Sequence, residues 1–152
     1  MVSENSPAPD FKLKGSDGKM HGLKEFSGKY LVLYFYPKDD TPGCTTEACS
    51  FRDGISKIKK LGAEVVGISN DGLESHDKFI EKYKLNFLLL SDPESKTIKA
   101  YDSYGNRGAL FGFGTLRKTF IIGKDGKLLK IFDKVHPEGH SDEVLGFLKG
   151  IA

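Results

Sequence analysis

Cysteine is scarce in this sequence, which has only Cys44 and Cys49 among its 152 residues. Two cysteines are too few for the disulfide framework that stabilises many small secreted proteins. We therefore expect the chemistry of the two thiols to matter more than any stabilisation that a disulfide between them would bring.

The sequence also lacks a strong excess of charge of either sign. Its 23 lysines and arginines are balanced by 21 aspartates and glutamates, which leaves a formal charge of +2. A balance of this kind gives no reason to expect binding to nucleic acid or to an acidic lipid surface.

Long apolar segments are absent as well. The longest run, around residues 30–36, is far shorter than the roughly 20 residues that a membrane-spanning helix needs. The first eleven residues have neither the basic start and apolar stretch of a secretory signal nor the arginine-rich pattern of a transit peptide. The sequence thus predicts no membrane span and shows no targeting signal, and a presequence removed before Val2 would leave no trace in it.

The chain length predicts one domain, residues 1–152, that buries roughly 70% of the surface exposed by the unfolded chain. Residues 12–20, with Asp17-Gly18 at their centre, predict a hairpin at the edge of a sheet. Beyond the hairpin, β-prone runs alternate with amphipathic segments, which predicts a parallel core. The predicted strands are 31–36, 63–69 and 87–90, and the predicted helices cover about 45–61, 73–83 and 94–101.

The pattern changes after Ser103. Residues 105–114 contain four glycines with aromatic residues between them and are predicted to form a loop. A hairpin with strands 118–122 and 127–132 follows, and a last helix is expected near 141–148. The fold class predicted from these elements is α/β, with a central mixed sheet flanked by helices and an N-terminal hairpin.

Cys44 is predicted to lie in the first turn of a helix. Thr41 is a preferred N-cap residue and Pro42 suits the first helical position, so the helix should begin immediately before the thiol. Unpaired amides and the positive end of the helix dipole then surround the sulfur and favour the thiolate, which is the nucleophilic form. The alternative is a small buried apolar residue without chemistry, which is a common fate of a free cysteine.

Cys49 follows Cys44 at a spacing that a regular helix cannot bridge. Five residues along a helix place two Cα atoms roughly 8.6 Å apart, from a rise of about 7.5 Å and a rotation near 140°. A disulfide usually needs less than about 7 Å. The two cysteines can therefore pair only where this turn unwinds, and the alternative of a static bridge requires that the segment never be helical.

The histidines do not complete a metal site with the two cysteines. His136 and His140 are four residues apart, but they flank Pro-Glu-Gly, and we expect both to be loop residues rather than metal ligands. A nucleotide site at residues 112–114 is also set aside, because the third glycine is missing and the segment precedes a strand instead of following one.

These motifs resemble those of the peroxiredoxins. The string Pro37-x-x-x-Thr41-x-x-Cys44 matches the active-site signature of the family, and the longer YPKDDTPGCTTEAC is similar to its Q-type, or bacterioferritin-comigratory, branch. In that branch a second cysteine lies five residues after the first, as Cys49 does here. The resemblance covers nearly the whole chain and implies a thioredoxin-like fold.

The resemblance also implies a role for each matching residue. Cys44 would be the peroxidatic thiolate, Thr41 would bind and orient the peroxide, and Pro37 would shield the thiol pocket. Arg117 would stabilise the thiolate and the developing oxygen charge, since a guanidinium stays charged and offers forked donors; without the resemblance it reads as a solvated arginine at a strand edge. The implied peroxide site consists of Thr41, Gly43, Cys44 and Arg117. Glu47 either orders the hydrogen bonds of the site or only favours the start of the helix.

The activity that the resemblance implies is reduction of hydrogen peroxide and organic hydroperoxides. Cys44 would become a sulfenic acid and Cys49 would condense with it to a disulfide, which thioredoxin, or alternatively glutaredoxin, would reduce. No metal, flavin or haem is expected. The aromatic segment 109–113 would either line a pocket for bulky hydroperoxides or cover core, and we expect the second.

Two other functions are compatible with a reactive thiol at Cys44. A thioredoxin-like disulfide oxidoreductase normally uses a C-x-x-C motif, which the C-x4-C spacing does not match. A redox sensor, in which oxidation of the thiol alters a partner surface, would be oxidised once and slowly. The resemblance implies a monomer located in a bacterial cytoplasm or in a plastid.

Overall fold

A computed structural model describes residues 2–152, which form nine strands, four α-helices and one 3₁₀ turn at Leu23–Phe26. The strands are β1 Lys12–Gly15, β2 Met20–Gly22, β3 Tyr30–Phe35, β4 Ala63–Ser69, β5 Leu88–Ser91, β6 Tyr104–Asn106, β7 Phe113–Thr115, β8 Lys118–Ile122 and β9 Leu128–Phe132. The helices are α1 Pro42–Lys60, α2 Leu73–Tyr83, α3 Lys96–Ala100 and α4 His140–Ile151.

Seven of the strands form one mixed sheet in the order β2-β1-β5-β4-β3-β8-β9. The inner strands β3, β4 and β5 are parallel, whereas β8 and β9 join antiparallel at one side and the β1–β2 hairpin at the other. This arrangement confirms the predicted α/β class with a mixed sheet, flanking helices and an N-terminal hairpin.

Strand β3 is covered on both faces, as its continuous apolar sequence predicts. Its residues alternate between the two faces of the sheet: Val32 and Tyr34, with Tyr36 directly after the strand, belong to a core with α1, α2 and α4, and Leu31, Leu33 and Phe35 belong to a second core with Ile98 and Tyr101. The end of β3 is thereby fixed from both sides, and the segment that follows it starts from a rigid position.

The helices and strands of the first half lie close to their predicted bounds. Strand β4 and helix α2 occupy the predicted ranges, whereas α3 is shorter than predicted. Helix α1 ends at Lys60, and Gly62 takes a positive φ of 81° directly after it, a conformation that glycine adopts without steric cost.

Residues 107–112 form a loop as predicted, but the two ends of the predicted segment 105–114 lie in strands β6 and β7. Strands β6 and β7 pair antiparallel as a separate two-stranded sheet, with Gly105 opposite Gly114. Phe111 and Phe113 are 65% and 71% exposed, and Leu110 is 92% exposed, so this segment does not cover core. The expectation that it does was wrong, because backbone pairing holds the hairpin without apolar burial of its tip.

The C-terminal helix also begins earlier than predicted. His140 is its first residue and is fully buried, so the expectation of a loop histidine was wrong for His140, while His136 is exposed outside the helix. Ser141 does not cap the helix; Gly139 holds the N-cap position, and the Ser141 hydroxyl lies 2.6 Å from that of Ser50 on α1. No helix within residues 2–152 has the length and apolar character needed to cross a bilayer.

Candidate active site

The two cysteines lie on α1, which starts where β3 ends. Pro42 is the first helical residue, as predicted, and Thr41 holds the extended N-cap conformation. The Thr41 hydroxyl, however, donates to the carbonyl of Lys38 at 2.8 Å and makes no capping bond to the helix. Position and backbone of the cap are as predicted, but the side-chain cap, in which the hydroxyl oxygen would accept from a helix amide, is not formed.

Cys44 lies in the first turn of α1 and is 1% exposed. The amides of this turn have no partner within the helix, and no acidic residue lies in the turn to oppose a negative charge. The thiol thus lies in the first turn of a helix, as the sequence predicts.

Arg117 is brought to the sulfur from the segment between β7 and β8. Its Nη2 lies 3.4 Å from the Cys44 Sγ, and its Nη1 donates to Glu47 Oε1 at 2.8 Å. One guanidinium thus bridges the thiol and the carboxylate, 73 and 70 residues away in sequence. A fixed positive charge that donates directly to a thiolate stabilises it.

Gly43 leaves the space that this guanidinium occupies. A Cβ at residue 43 would lie 3.0 Å from the Nη2 of Arg117 and 3.6 Å from the Cγ of Pro137. Any side chain there would press on the group that contacts the sulfur, which gives a structural reason for glycine in this part of the site. Pro37 is half-buried at the start of the loop that leads to Thr41.

Glu47 has an unusual environment for a carboxyl group. It is fully buried, and burial raises its pKa to about 7 even though Arg117 favours the charged form. Its second oxygen, Oε2, and the hydroxyl of Tyr34 are buried without a hydrogen-bond partner among residues 2–152. Of the two roles considered for Glu47, ordering the site fits this geometry, because the carboxylate contacts Arg117.

Cys49 lies on the same intact helix and is half-buried, and both cysteines are free. Regular helical geometry keeps the two Cα atoms roughly 8.6 Å apart, beyond the reach of a disulfide. This structure is therefore the reduced arrangement, and a bond between Cys44 and Cys49 requires the start of α1 to unwind.

Two residues near the site are not among those singled out from the sequence. Asp39, between Pro37 and Thr41, accepts hydrogen bonds from three side chains, one of them the fully buried His76 of α2. A signal for His76 exists in the sequence, since it precedes Phe79, Ile80 and Tyr83 at helical spacing and so shares their inward face. No local sequence pattern predicts that His76 contacts Asp39.

His140 takes no part in a metal site. Its Nε2 lies 2.8 Å from the Thr119 hydroxyl and its Nδ1 lies 3.2 Å from Glu143, and burial lowers its pKa. Across residues 2–152, no group of three or more histidine, cysteine, aspartate or glutamate side chains is placed to hold a metal ion.

Comparison with known proteins gives a consistent picture over nearly the whole chain. The AhpC/TSA family matches residues 5–131. Among curated proteins, Peroxiredoxin Bcp of Bacillus subtilis is 47% identical over 148 residues, which cover 95% of this chain and 94% of that protein. The chloroplastic Peroxiredoxin Q of Suaeda salsa is 46% identical over 151 residues, which cover 99% of this chain and 69% of the relative.

Among solved structures, that of the bacterioferritin comigratory protein of Xanthomonas campestris superposes with a TM-score of 0.86 at 37% identity. The match covers 92% of this chain and 90% of the other, and that structure was described in connection with alkyl peroxide reduction. The structural likeness confirms the thioredoxin-like fold expected from the resemblance.

Proposed function

Because this chain belongs to the Q-type branch of the peroxiredoxins, in the AhpC/TSA family, we propose that it reduces peroxides at Cys44, forms a disulfide with Cys49 and is recycled by thioredoxin. Family membership makes the chain a thiol peroxidase. The proposal adds the role of each residue, the course of the disulfide step, the reductant and a single peroxidase domain spanning residues 1–152.

The observation that supports the proposal most strongly is the contact between Arg117 and the Cys44 sulfur at 3.4 Å. The guanidinium stabilises the thiolate before the reaction and remains in place for the oxygen that becomes negative as the O–O bond breaks. It carries its charge at every working pH, so no proton has to move for it to act.

Oxidation of Cys44 transfers two electrons from the thiolate to the peroxide. The thiolate attacks the terminal oxygen of the peroxide; an S–O bond forms, the O–O bond breaks, and the leaving oxygen takes a proton to become water or an alcohol. The Thr41 hydroxyl donates a hydrogen bond to the Lys38 carbonyl, so its oxygen is free to accept a hydrogen bond from the peroxide. Pro37, at the start of the same loop, would shield the thiolate from water.

The disulfide step uses the second thiol of the chain. The Cys49 thiolate attacks the Cys44 sulfenic acid, an S–S bond forms and water leaves. Because the helix keeps the sulfurs apart, the first turns of α1 must unwind, which also carries the oxidised sulfur out of its buried position. A dithiol reductant then reduces the exposed disulfide through a mixed disulfide.

The test of the proposed function is a coupled assay on the untagged protein. Hydrogen peroxide and an alkyl hydroperoxide are each supplied with thioredoxin and its reductase, and in parallel with glutaredoxin and glutathione. We expect many turnovers with thioredoxin, and alkyl peroxide reduction is suggested by the work on the Xanthomonas campestris protein. A single stoichiometric oxidation without turnover would instead indicate a redox sensor.

Glu47 is proposed to orient Arg117, and its replacement has two expected effects. Glu47→Gln keeps an oxygen for Arg117 but removes the charge, so oxidation of Cys44 should slow about tenfold, as for the loss of a charge-assisted bond. Stability should change in the opposite direction. The folded pKa of Glu47, about 7, exceeds the ordinary 4.5, so wild-type stability falls as pH rises from 4.5 to 7 and Glu47→Gln avoids that loss.

Urea unfolding of both proteins at pH 5 and pH 8 measures this difference. The stability advantage of Glu47→Gln should grow by up to about 3 kcal/mol between the two pH values. Glu64→Gln is the matched control, since Glu64 is a partly exposed glutamate 3.5 Å from Lys29 and such pairs contribute little. Equal pH slopes for wild type and Glu47→Gln would contradict the raised pKa of this carboxyl.

The relatives also bear on where the protein is located in the cell. One of the relatives is chloroplastic and another is bacterial, so both locations expected from the sequence stay open for this chain as proposals.

A further inference from the structure

The loop of residues 37–41 holds the peroxide-binding Thr41 in place, and two of its own carboxylates anchor it to α2. Asp40, in a left-handed conformation with a φ of 58°, accepts from the Tyr83 hydroxyl at 2.8 Å and from Lys82 at 2.9 Å on the protein surface. Asp39 points the other way, into the protein, and is 6% exposed.

Asp39 is held by three donors inside the protein. The Tyr36 hydroxyl donates to Oδ1 at 2.6 Å, and the Ser75 hydroxyl and His76 Nδ1 bond Oδ2 at 2.8 and 2.6 Å. The Asp39 amide in turn donates to the Asp71 carboxylate at 2.8 Å. Strand β3, the segment after β4 and helix α2 therefore all converge on the middle residue of the loop.

His76 must carry two protons in this arrangement. Its Nδ1 faces the Asp39 carboxylate, and its Nε2 lies 2.9 Å from the backbone carbonyl of Leu90 on β5. Both partners are acceptors, and a neutral imidazole has only one N–H to donate. The ring is therefore a buried imidazolium that links β5 to the loop through Asp39.

We propose that Asp39 and His76 are positioning residues for peroxide reduction, a buried ion pair that fixes the loop carrying Pro37 and Thr41 against the Cys44 thiolate. The inference rests on the proposed peroxidase function and adds two residues to it. Neither residue contacts Cys44 in the structure, so both act through the loop.

The energetic reason lies in the burial of the pair. The side chains of His76 and Asp39 are 0% and 2% exposed, so removing one partner leaves the other charge without water or a counterion. When His76 is lost, turning Asp39 outward returns its charge to water. Such a movement shifts Thr41, two residues on, whereas Asp40 still holds the outer side of the loop. Displacements of about 1 Å in a reactive geometry can reduce a rate by 10²-fold.

The pair also makes the loop sensitive to pH. Burial alone lowers the pKa of His76, but the bond and charge of Asp39, with Asp71 nearby, raise it above the ordinary 6.5. The contribution of the pair is therefore complete below pH 6.5 and is lost as pH rises through the raised pKa. Burial raises the pKa of Tyr36 well above 10, so the phenol stays neutral over this range. The other ionisable groups in this hydrogen-bonded cluster around His76 are Asp39 and Asp71.

The test compares two substitutions of His76 whose side-chain amides each replace one of the two ring nitrogens. Both are made in the Cys49→Ser variant, in which Cys44 is the remaining cysteine. His76→Asn places its amide near the position of Nδ1 and keeps the bond to Asp39, whereas His76→Gln reaches the position of Nε2 and keeps only the bond to Leu90. Two rates are measured for each protein: oxidation of Cys44 by hydrogen peroxide, and its alkylation by iodoacetamide, which needs the thiolate but no peroxide site.

His76→Gln should slow peroxide oxidation by roughly 10- to 100-fold and leave alkylation within about threefold, since the loop shifts but the thiolate remains. His76→Asn keeps the bond to Asp39 but not the positive charge, so it should slow peroxide oxidation less than His76→Gln does, and it should lack the alkaline fall in peroxide reactivity that we expect of the parent. His21→Asn is the matched control, because both ring nitrogens of His21 also face acceptors, here the carboxylates of Asp17 and Glu25, but His21 lies on the edge strand β2.

Equal peroxide rates in His76→Gln and the parent would overturn the inference, as would an unchanged alkaline limb in His76→Asn or a parallel loss of alkylation in His76→Gln. A parent protein that does not react rapidly with peroxide would instead refute the proposed function. The two failures are therefore distinguishable.

Discussion

Cys44→Ser should abolish peroxide consumption, with a loss of at least about 10³-fold in the rate of the first oxidation. A serine hydroxyl is not ionised by one arginine and a helix N-terminus, so the nucleophile is lost while the fold remains. Cys44 is buried and differs from serine by one atom, which keeps the contacts of Arg117 with Glu47 available. The measurement is single-turnover consumption of hydrogen peroxide by the reduced protein.

The control for this variant is the other cysteine. Cys49→Ser retains Cys44 and should consume one equivalent of peroxide at a rate within about twofold of wild type, because Cys49 acts after the oxidation. A sulfenic acid at Cys44, trapped with a 1,3-diketone and located by mass spectrometry, should appear in Cys49→Ser. Peroxide consumption by Cys44→Ser within tenfold of wild type would exclude Cys44 as the nucleophile.

Cys49→Ser should block multiple turnover with thioredoxin by at least about 100-fold, although the first oxidation proceeds. The reason is accessibility: Cys44 is 1% exposed on a folded helix, and an external protein thiol cannot reach its sulfur there. Only the disulfide with Cys49 draws the oxidised sulfur outward. The coupled thioredoxin assay measures this effect, and full recycling of Cys49→Ser would refute the resolving role.

Amide exchange provides a second measurement of the same step. The disulfide should remove protection from about residues 42–52 of wild type, whereas oxidised Cys49→Ser should keep it. The loss should end near Arg52, because Arg52 Nη1 donates to the Tyr83 carbonyl at 2.6 Å and its own carbonyl accepts from Asn86 at 3.2 Å. Equal protection in reduced and oxidised wild type would show that the helix does not unwind.

The energetic balance of α1 explains why its first turns are the part that can unwind. Ile58 is fully buried and Arg52 is bonded to the Tyr83 carbonyl, so the second half of the helix is held by core packing and by its contact with α2. The start has polar tethers instead, including the Thr46 hydroxyl bonded to Pro42. Such bonds contribute about 1 kcal/mol each, which makes opening of the first turns less costly than opening of the core turns.

Much of the fold was predictable because local patterns and tertiary burial agree. The run from residue 63 to residue 69 is largely apolar and becomes a strand buried on both faces, and the helical spacing of apolar residues in α2 places Phe79 in the core. Only the ends of the segment 105–114 were mispredicted, because glycines that usually indicate loops here allow two short strands to pair. Pairing between strands depends on register, which composition does not show.

The chemistry proposed for residues 37–49 could be predicted from the local sequence: a thiol in the first turn of a helix, a second thiol five residues on, and the need for that turn to unwind. These follow from local propensities and helical geometry, which act over a few residues. Only the tertiary structure decided which distant groups meet this segment. Arg117 reaches Cys44 because β8 pairs with β3, and His76 reaches Asp39 because α2 packs beside the end of β3. Contacts across 37 to 73 residues depend on sheet order and packing, which no local pattern encodes.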